Sequence, residues 1–306
     1  MPPSLRCCAP LSANGRGTTP GTGRLRLCRR RAPALARRAF AGGDDDDARR
    51  VAQPRAVRRP RGENVLMCGR YATSRSDTEL ADALGAAKIV GEEPGPSWNV
   101  APTQLVRVAL ARAPREEPEA DPVRQLCTVK WGLVPSWAKD VKIGTRMINA
   151  RAETITSKNA FKAAARKRRC IVPADGYYEW QKNDDGTKTP FFLHADGDLV
   201  AMAGLYELWP DPAKREDDPD RWLWTCTILT TTATDALGHI HDRSPVVLPP
   251  GEMREAWLDP EMSKPEDVDA LLASIPDPAL VPREVSIAVN NPRNNSPDLI
   301  EPVHHS

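Results

Sequence analysis

Short apolar runs separated by Gly, Pro, Asn and Asp recur from Met67 to about residue 290. Such runs, rich in Val, Ile, Leu, Thr and aromatic residues, predict strands at residues 105–110, 125–133, 170–172, 191–193, 199–206, 224–230 and 246–248. Helical spacing of apolar positions is confined to residues 76–84, 160–168, 253–258 and 265–274, the last opening on Pro265 with Glu266 and Asp267 in its first turn. Strands therefore dominate, with helices interspersed. Residues 211–221 are rich in Asp and Pro and read as a surface loop, and residues 290–306 read as an extended tail. No internal repeat is present.

Residues 1–66 differ in texture. They hold 15 Arg, no Lys and five acids, Asp44 to Asp47 and Glu63, so they carry +10, while the remaining 28 basic and 36 acidic residues leave 67–306 at −8. The total of +2 thus conceals a basic extension on a mildly acidic body, and any nucleic-acid contact must come from a local patch. The extension shows neither helical nor strand periodicity, lacks the apolar core of a secretory signal, and carries an acidic run that fits a transit peptide poorly. We expect it to be disordered, and Met67 to be the native start. The domains expected are therefore 1–66, 67–290 and a tail over 291–306.

With 306 residues, 40% hydrophobic and 27% charged, the chain can bury a sizeable core. No apolar run approaches the ~18 residues of a membrane span, so no membrane partner is expected. The 30 prolines argue against a helical bundle. Seven cysteines, Cys7, Cys8, Cys28, Cys68, Cys127, Cys170 and Cys226, are odd in number and irregularly spaced, which suggests no disulfide framework and a reducing, cytoplasmic setting. There is no Cys-x-x-Cys, and His239 with His241 alone does not indicate a zinc site.

Six segments occur in order: Met67-Cys-Gly-Arg-Tyr71, Trp98-Asn-Val-Ala-Pro-Thr-Gln104, Trp131-Gly-Leu-Val-Pro-Ser-Trp-Ala138, Asn149-Ala-Arg-Ala-Glu153, Arg169-Cys-Ile-Val-Pro-Ala-Asp-Gly-Tyr-Tyr-Glu-Trp180 and His241-Asp-Arg-Ser-Pro245. Together they resemble the SOS response-associated peptidase family across most of residues 67–290, and an ordered set of six is far more specific than one short pattern. The resemblance implies an α+β fold with an irregular, β-barrel-like mixed sheet and surrounding helices. It also implies shielding of abasic sites in single-stranded DNA by a covalent protein–DNA link, close to the nucleoid during DNA damage.

The residues make that chemistry intelligible. Removal of Met67 leaves Cys68 with a free α-amine and a thiol on adjacent carbons; the amine condenses with the aldehyde of an open abasic sugar, and the thiol closes a thiazolidine ring. An α-amine titrates near ~7.7–8.0 against ~10.4 for lysine, so a usable fraction is uncharged at neutral pH. Sugar opening and dehydration need proton transfers, for which Glu179 and His241 are the candidates, Glu179 at the attacking group and His241 at the sugar oxygen. The resemblance implies that Asn149 orients the cysteine. His239 reads as structural.

Arg70, Arg151 and Arg243, each beside a proposed catalytic position, are candidate phosphate clamps. Trp131 and Trp137 are candidates for stacking on bases flanking the lesion, with a core role weighing more heavily for Trp131. The run Arg166-Lys-Arg-Arg169 reads as a solvated helix end rather than a site. Ser244 departs from the Met that many family members carry there, a change expected to alter packing near His241.

No cofactor or metal is called for, the expected partner is single-stranded DNA with an abasic site, and a monomer suffices. Weak abasic lyase activity by β-elimination from the imine is a secondary expectation. Two other classes stay open: a thiol autopeptidase in which Cys68 attacks the Met67 carbonyl, and a non-covalent single-strand nucleic-acid binder.

Overall fold

A computed structural model describes residues 69–113, 117, 119–233 and 235–303. The expectations for residues 1–66, and for Cys68 itself, lie outside the described residues. In chain order the strands are β1 (Tyr71–Thr73), β2 (Lys88–Val90), β3 (Ser97–Val100), β4 (Leu105–Arg112), β5 (Val123–Trp131), β6 (Asn149–Arg151), β7 (Arg169–Ala174), β8 (Gly176–Lys182), β9 (Lys188–His194), β10 (Val200–Pro210), β11 (Trp222–Thr232), β12 (Arg243–Pro245) and β13 (Val281–Glu284). The helices are α1 (Asp77–Leu84), α2 (Lys162–Lys167), α3 (Asp235–Gly238), α4 (Glu252–Leu258) and α5 (Pro265–Ser274).

Five of these strands close on themselves. β4 pairs with β5 and β7, β7 with β10, β10 with β11, and β11 returns to β5 through the parallel pairs Thr225–Lys130 and Cys226–Trp131. Closure removes the exposed strand edges that an open sheet would leave unpaired. Alternation along each strand sends Val106, Val108, Cys127, Val129, Cys170, Val172, Met202 and Ile228 to the interior, and Ala109, Leu126, Ile171, Ala203, Leu205 and Leu229 to the outer layer against α2, α4 and α5. Both faces are buried, which is why these segments read as continuous apolar runs rather than as alternating ones.

A second sheet, ordered β13-β9-β8-β1-β3, lies over this ring. One of its faces, carrying Tyr71, Tyr177 and Leu193, joins the interior of the ring. The other, carrying Ala72, Tyr178 and Phe192, is covered by Val285, Val289 and Leu299. Gly176 sits where β8 presses on β9: a Cβ there would lie 2.4 Å from Phe192 Cζ and 2.6 Å from the Leu193 carbonyl oxygen, so only glycine fits.

The mixed α+β, barrel-like architecture is as expected, and α5 occupies the expected span. α1 is closed at its start by the reciprocal Ser76–Glu79 capping box and at its end by Gly85 at φ 62°. Elsewhere the structure corrects the reading. The run 246–248 is not the strand itself, which is Arg243–Pro245; Val246 and Leu248 instead make separate backbone bonds to Leu229, Ala203 and Ala201. β8 was not anticipated, because Tyr177, Tyr178 and Glu179 are all buried and mask any alternation. The expected extended tail is folded: Pro297–Ile300 forms a 3-10 turn that buries Leu299.

The basic run at the end of α2 is solvated only in its first half, at Arg166 and Lys167. Arg168 pairs with Glu207 at 2.7 Å, and Arg169 is buried with its guanidinium on the carbonyls of Ala165, Arg166, Trp257 and Asp259. It thereby caps the C-terminal ends of α2 and α4 together. Desolvation lowers this guanidinium to about 10, still charged at neutral pH. Arg169→Met keeps the apolar stem but strands those carbonyls; we expect a loss of about 3 kcal/mol, read as a lower urea midpoint at unchanged slope.

Candidate active site

The strand register sets the centre of the site. β1 and β8 are antiparallel with Tyr71 opposite Tyr177 and Ala72 opposite Gly176, and the Tyr178 amide donates to the Arg70 carbonyl at 2.9 Å. Continuing that ladder brings Gly69 level with Glu179. Glu179 follows Tyr177 on the face of β8 turned toward the ring, and it is only 3% exposed. A carboxylate this deep needs polar company to be tolerated, and it has a partner in the structure.

Two other elements converge here. Gln181, on the same face of β8 as Glu179, donates through Nε2 to the His239 carbonyl at 3.1 Å, tying β8 to the turn that carries His241. β6 pairs in parallel with β11, Asn149 against Ile228 and Arg151 against Thr230, and the next stretch of β11 pairs with β12, Thr232 against Arg243. Asn149, Glu179 and His241 are thus delivered by three strands or turns that β11 and β8 hold in register. His239 is exposed and contributes its carbonyl.

The imidazole of His241 is held at Nδ1, which accepts from the Arg243 backbone N–H at 3.1 Å and lies 3.3 Å from both the Arg243 carbonyl and an Asp242 carboxylate oxygen. With the Arg243 N–H, the shortest of these contacts, donating to Nδ1, the proton of the neutral ring sits on Nε2; with either oxygen as the partner it would sit on Nδ1.

The three candidate clamps stand differently. The guanidinium of Arg70 turns to the opposite sheet face and donates to Asn99 Oδ1 at 2.8 Å, to the Val289 carbonyl at 2.9 Å and to the Asn290 carbonyl at 3.4 Å. Burial lowers its pKa. Asn99, buried in its turn, donates to the carbonyls of Val289, Asn291 and Asn294, so the pair ties the 289–294 segment to β1 and β3. Arg243, whose side chain is 10% exposed, gives a two-pronged bond to Glu153 at 2.6 and 3.0 Å and a further one to the Thr230 carbonyl at 2.5 Å. Arg151 is exposed and makes no ion pair among the described residues. Of the three, Arg151 has its donors open to solvent.

The tryptophans divide cleanly. Trp131 is 1% exposed, packs edge-on against Tyr71 at 5.3 Å and donates Nε1 to the Ile148 carbonyl at 2.9 Å. A stacking role is therefore corrected: no base can reach a ring inside the barrel. Trp137 stands 60% exposed on the loop after β5. Two residues carry more than the sequence disclosed, Asn99 and Glu153. Both lie inside segments singled out by motif, and only the hydrogen-bond geometry separates scaffold from chemistry.

Cys127, Cys170 and Cys226 are unbridged and buried, and desolvation raises all three thiols, Cys127 to about 11. They are neutral and inert at physiological pH. No group of three or more His, Cys, Asp or Glu among the described residues is arranged to hold a metal ion. Cavities of about 490 and 420 Å³ lie elsewhere, lined respectively around His194 and Arg283 and around Arg75 and Arg107. Ser244 is buried in β12, opposite Thr231.

Residues 67–292 match the family described as SOS response associated peptidase (SRAP). The chain belongs to the SRAP family. Over 237 residues it is 39% identical to the abasic site processing protein YoqW of Bacillus subtilis (strain 168), covering 77% of this chain and 99% of the relative. Over 270 residues it is 31% identical to the abasic site processing protein HMCES of Gallus gallus, covering 78% of each. A solved structure of a protein from Bacteroides thetaiotaomicron superposes with a TM-score of 0.63 at 23% identity, over 78% of this chain and all of the other, which is a likeness of fold. The SRAP domain thus accounts for both sheets and for every element of the candidate site. No helix among the described residues is long and apolar enough to cross a membrane.

The two tryptophans of this SRAP domain should separate on substitution. Trp131→Ala is expected to cost about 3–5 kcal/mol through the cavity it leaves in the ring, and Trp137→Ala less than about 0.5 kcal/mol. Thermal and urea unfolding of the two variants checks this.

Proposed function

We propose that this protein processes abasic sites in single-stranded DNA by forming a covalent thiazolidine link through Cys68 once that residue is N-terminal. The observation that carries the reading is the β1–β8 register: it sets Gly69, the residue that follows Cys68, level with the buried carboxylate of Glu179. The names of the relatives YoqW and HMCES support it.

The chemistry then runs as follows. His241 passes its Nε2 proton to the ring oxygen of the abasic sugar as it opens to the aldehyde, and the proton released by the hemiacetal hydroxyl returns to the imidazole through solvent, so the ring ends neutral. The Cys68 amine adds to the aldehyde carbon, and Glu179 moves the proton that lets the carbinolamine lose water. The thiol adds across the resulting C=N bond, forming a C–S bond while its proton passes to nitrogen. One water is released overall, and neither oxidant nor cofactor enters. Asn149 offers a neutral amide that orients the amine without titrating it. Arg151 contacts phosphate, and Trp137 offers a face for a flanking base.

The test is a denaturing gel of single-stranded DNA bearing one abasic site, incubated with a chain beginning at Met67 beside the full-length chain. A shifted band with the shorter chain alone supports the reading and requires a free Cys68 amine. Bands with both would mean that residues 1–67 are removed, and persistence of that removal in Cys68→Ala would dismiss self-cleavage by the thiol. Bound but unshifted DNA with either chain would leave a non-covalent binder, and strand scission would report lyase activity. Glu179→Gln and His241→Ala are each expected to slow the adduct by about 10²-fold or more.

Arg151→Ala should instead weaken binding of an unreactive tetrahydrofuran analogue and lower the slope of log K against log salt by about 0.7, the value of one phosphate contact on a single strand. A slope unchanged from the parent removes Arg151 from the DNA surface.

A further inference from the structure

Glu153 lies in no step of the chemistry above, yet it anchors the turn on which that chemistry depends. It follows β6 in a 3-10 turn, and its carboxylate takes both arms of Arg243 at 2.6 and 3.0 Å. Arg243 is thereby spent: Nη2 also reaches the Thr230 carbonyl, Nη1 lies 3.4 Å from Thr232 Oγ1, and the side chain is nearly out of solvent. The same residue's backbone N–H is the donor that holds Nδ1 of His241. Fixing the Arg243 side chain against β6 and β11 therefore fixes the start of β12, and with it the orientation of the imidazole.

We infer that Glu153 is a positioning residue for His241: through the two-pronged bond to Arg243 it aims the Arg243 amide at Nδ1 and holds the neutral ring as the Nε2–H tautomer. Arg243 is in this account the link of the brace between Glu153 and His241. The half-exposed carboxylate suits the role. Arg243 and Arg151 hold it below the usual carboxylate range, so it stays ionised and bonded across the physiological pH window. A bidentate guanidinium–carboxylate pair fixes direction as well as distance, which a single point contact does not. An alternative geometry, in which Glu153 merely occupies the place of a DNA phosphate on Arg243, predicts the opposite response to its removal.

The inference rests on the reading of His241 as the acid of the proposed reaction, and its primary test is independent of that reaction. In the full-length chain, without DNA, two-bond ¹H–¹⁵N spectra of ¹⁵N-histidine-labelled protein should report His241 as the Nε2–H tautomer. Glu153→Ala should convert this signal to a tautomer mixture while the melting temperature and the other histidine signals stay in place. Glu153→Gln, which keeps the shape and one acceptor, should shift it less and serves if the alanine variant is unstable.

In the form of the chain that gives the adduct, Glu153→Ala should slow cross-linking about tenfold or more while changing the affinity for tetrahydrofuran-containing single strands less than about twofold. An unchanged tautomer in both variants overturns the inference, and tighter binding of the analogue with an unchanged tautomer assigns Glu153 to guarding a phosphate site instead. If the parent forms no adduct, the proposed reaction fails, and the tautomer measurement still decides whether Glu153 acts on His241.

Discussion

The arrangement hangs on the sharing of one strand's hydrogen bonds. β11 gives its amides and carbonyls to β10, β5, β6 and β12 in succession, antiparallel to the first and last and parallel to the other two. A strand buried along most of its length has no water to satisfy these groups, so each stretch must find a partner chain. Pairing with β5 closes the ring. Pairing with β6 and β12 then sets Arg151 and Pro245 level with the same residue, Thr230, one on each side, although 94 positions separate them in the chain, counting 245 minus 151. The requirement that closes the barrel is the one that assembles the candidate site beside it.

Within the motifs, chemistry and scaffold are interleaved residue by residue. Arg70 sits next to Gly69, yet its side chain passes to the far face and, with Asn99, ties down the 289–294 segment. Arg243 sits two positions from His241 and reaches back to Glu153. A guanidinium with several carbonyl or carboxylate acceptors is well suited to such ties, because its donors fan out in a plane and match acceptors from separate chain segments. Sequence proximity to a candidate nucleophile therefore says little about where an arginine points, since strand alternation sends neighbours to opposite faces.

What the sequence disclosed follows the same division. Strands buried on both faces announced themselves as apolar runs, and α1 was legible from its helical spacing over residues 76–84, though its caps were not. The segments held by polar side chains were not. β8 hides a buried glutamate among aromatics, and the 289–303 stretch is fixed largely by Arg70, Asn99 and Arg283 donating to its carbonyls, interactions with no periodicity to read. The identities of the site residues came from motif order alone. Their grouping came from ladder register, which is set by pairing between strands far apart in sequence.

The charge distribution bears on why a covalent step suits this surface. The domain from residue 67 onward is net acidic, and two of the three arginines nearest the candidate site are committed internally. Long-range attraction to a polyanion is then weak beyond a Debye length of about 8 Å at physiological ionic strength. On the reading proposed, the amount of DNA captured depends on the ratio of the bond-forming rate to the dissociation rate rather than on affinity at equilibrium. A lesion that dwells briefly is retained if ring closure competes with departure, and intact DNA, which offers no aldehyde, departs unmodified. Selectivity for the lesion then resides in the chemistry, where discrimination does not erode with salt, and Arg243 is left to brace the imidazole that takes part in it.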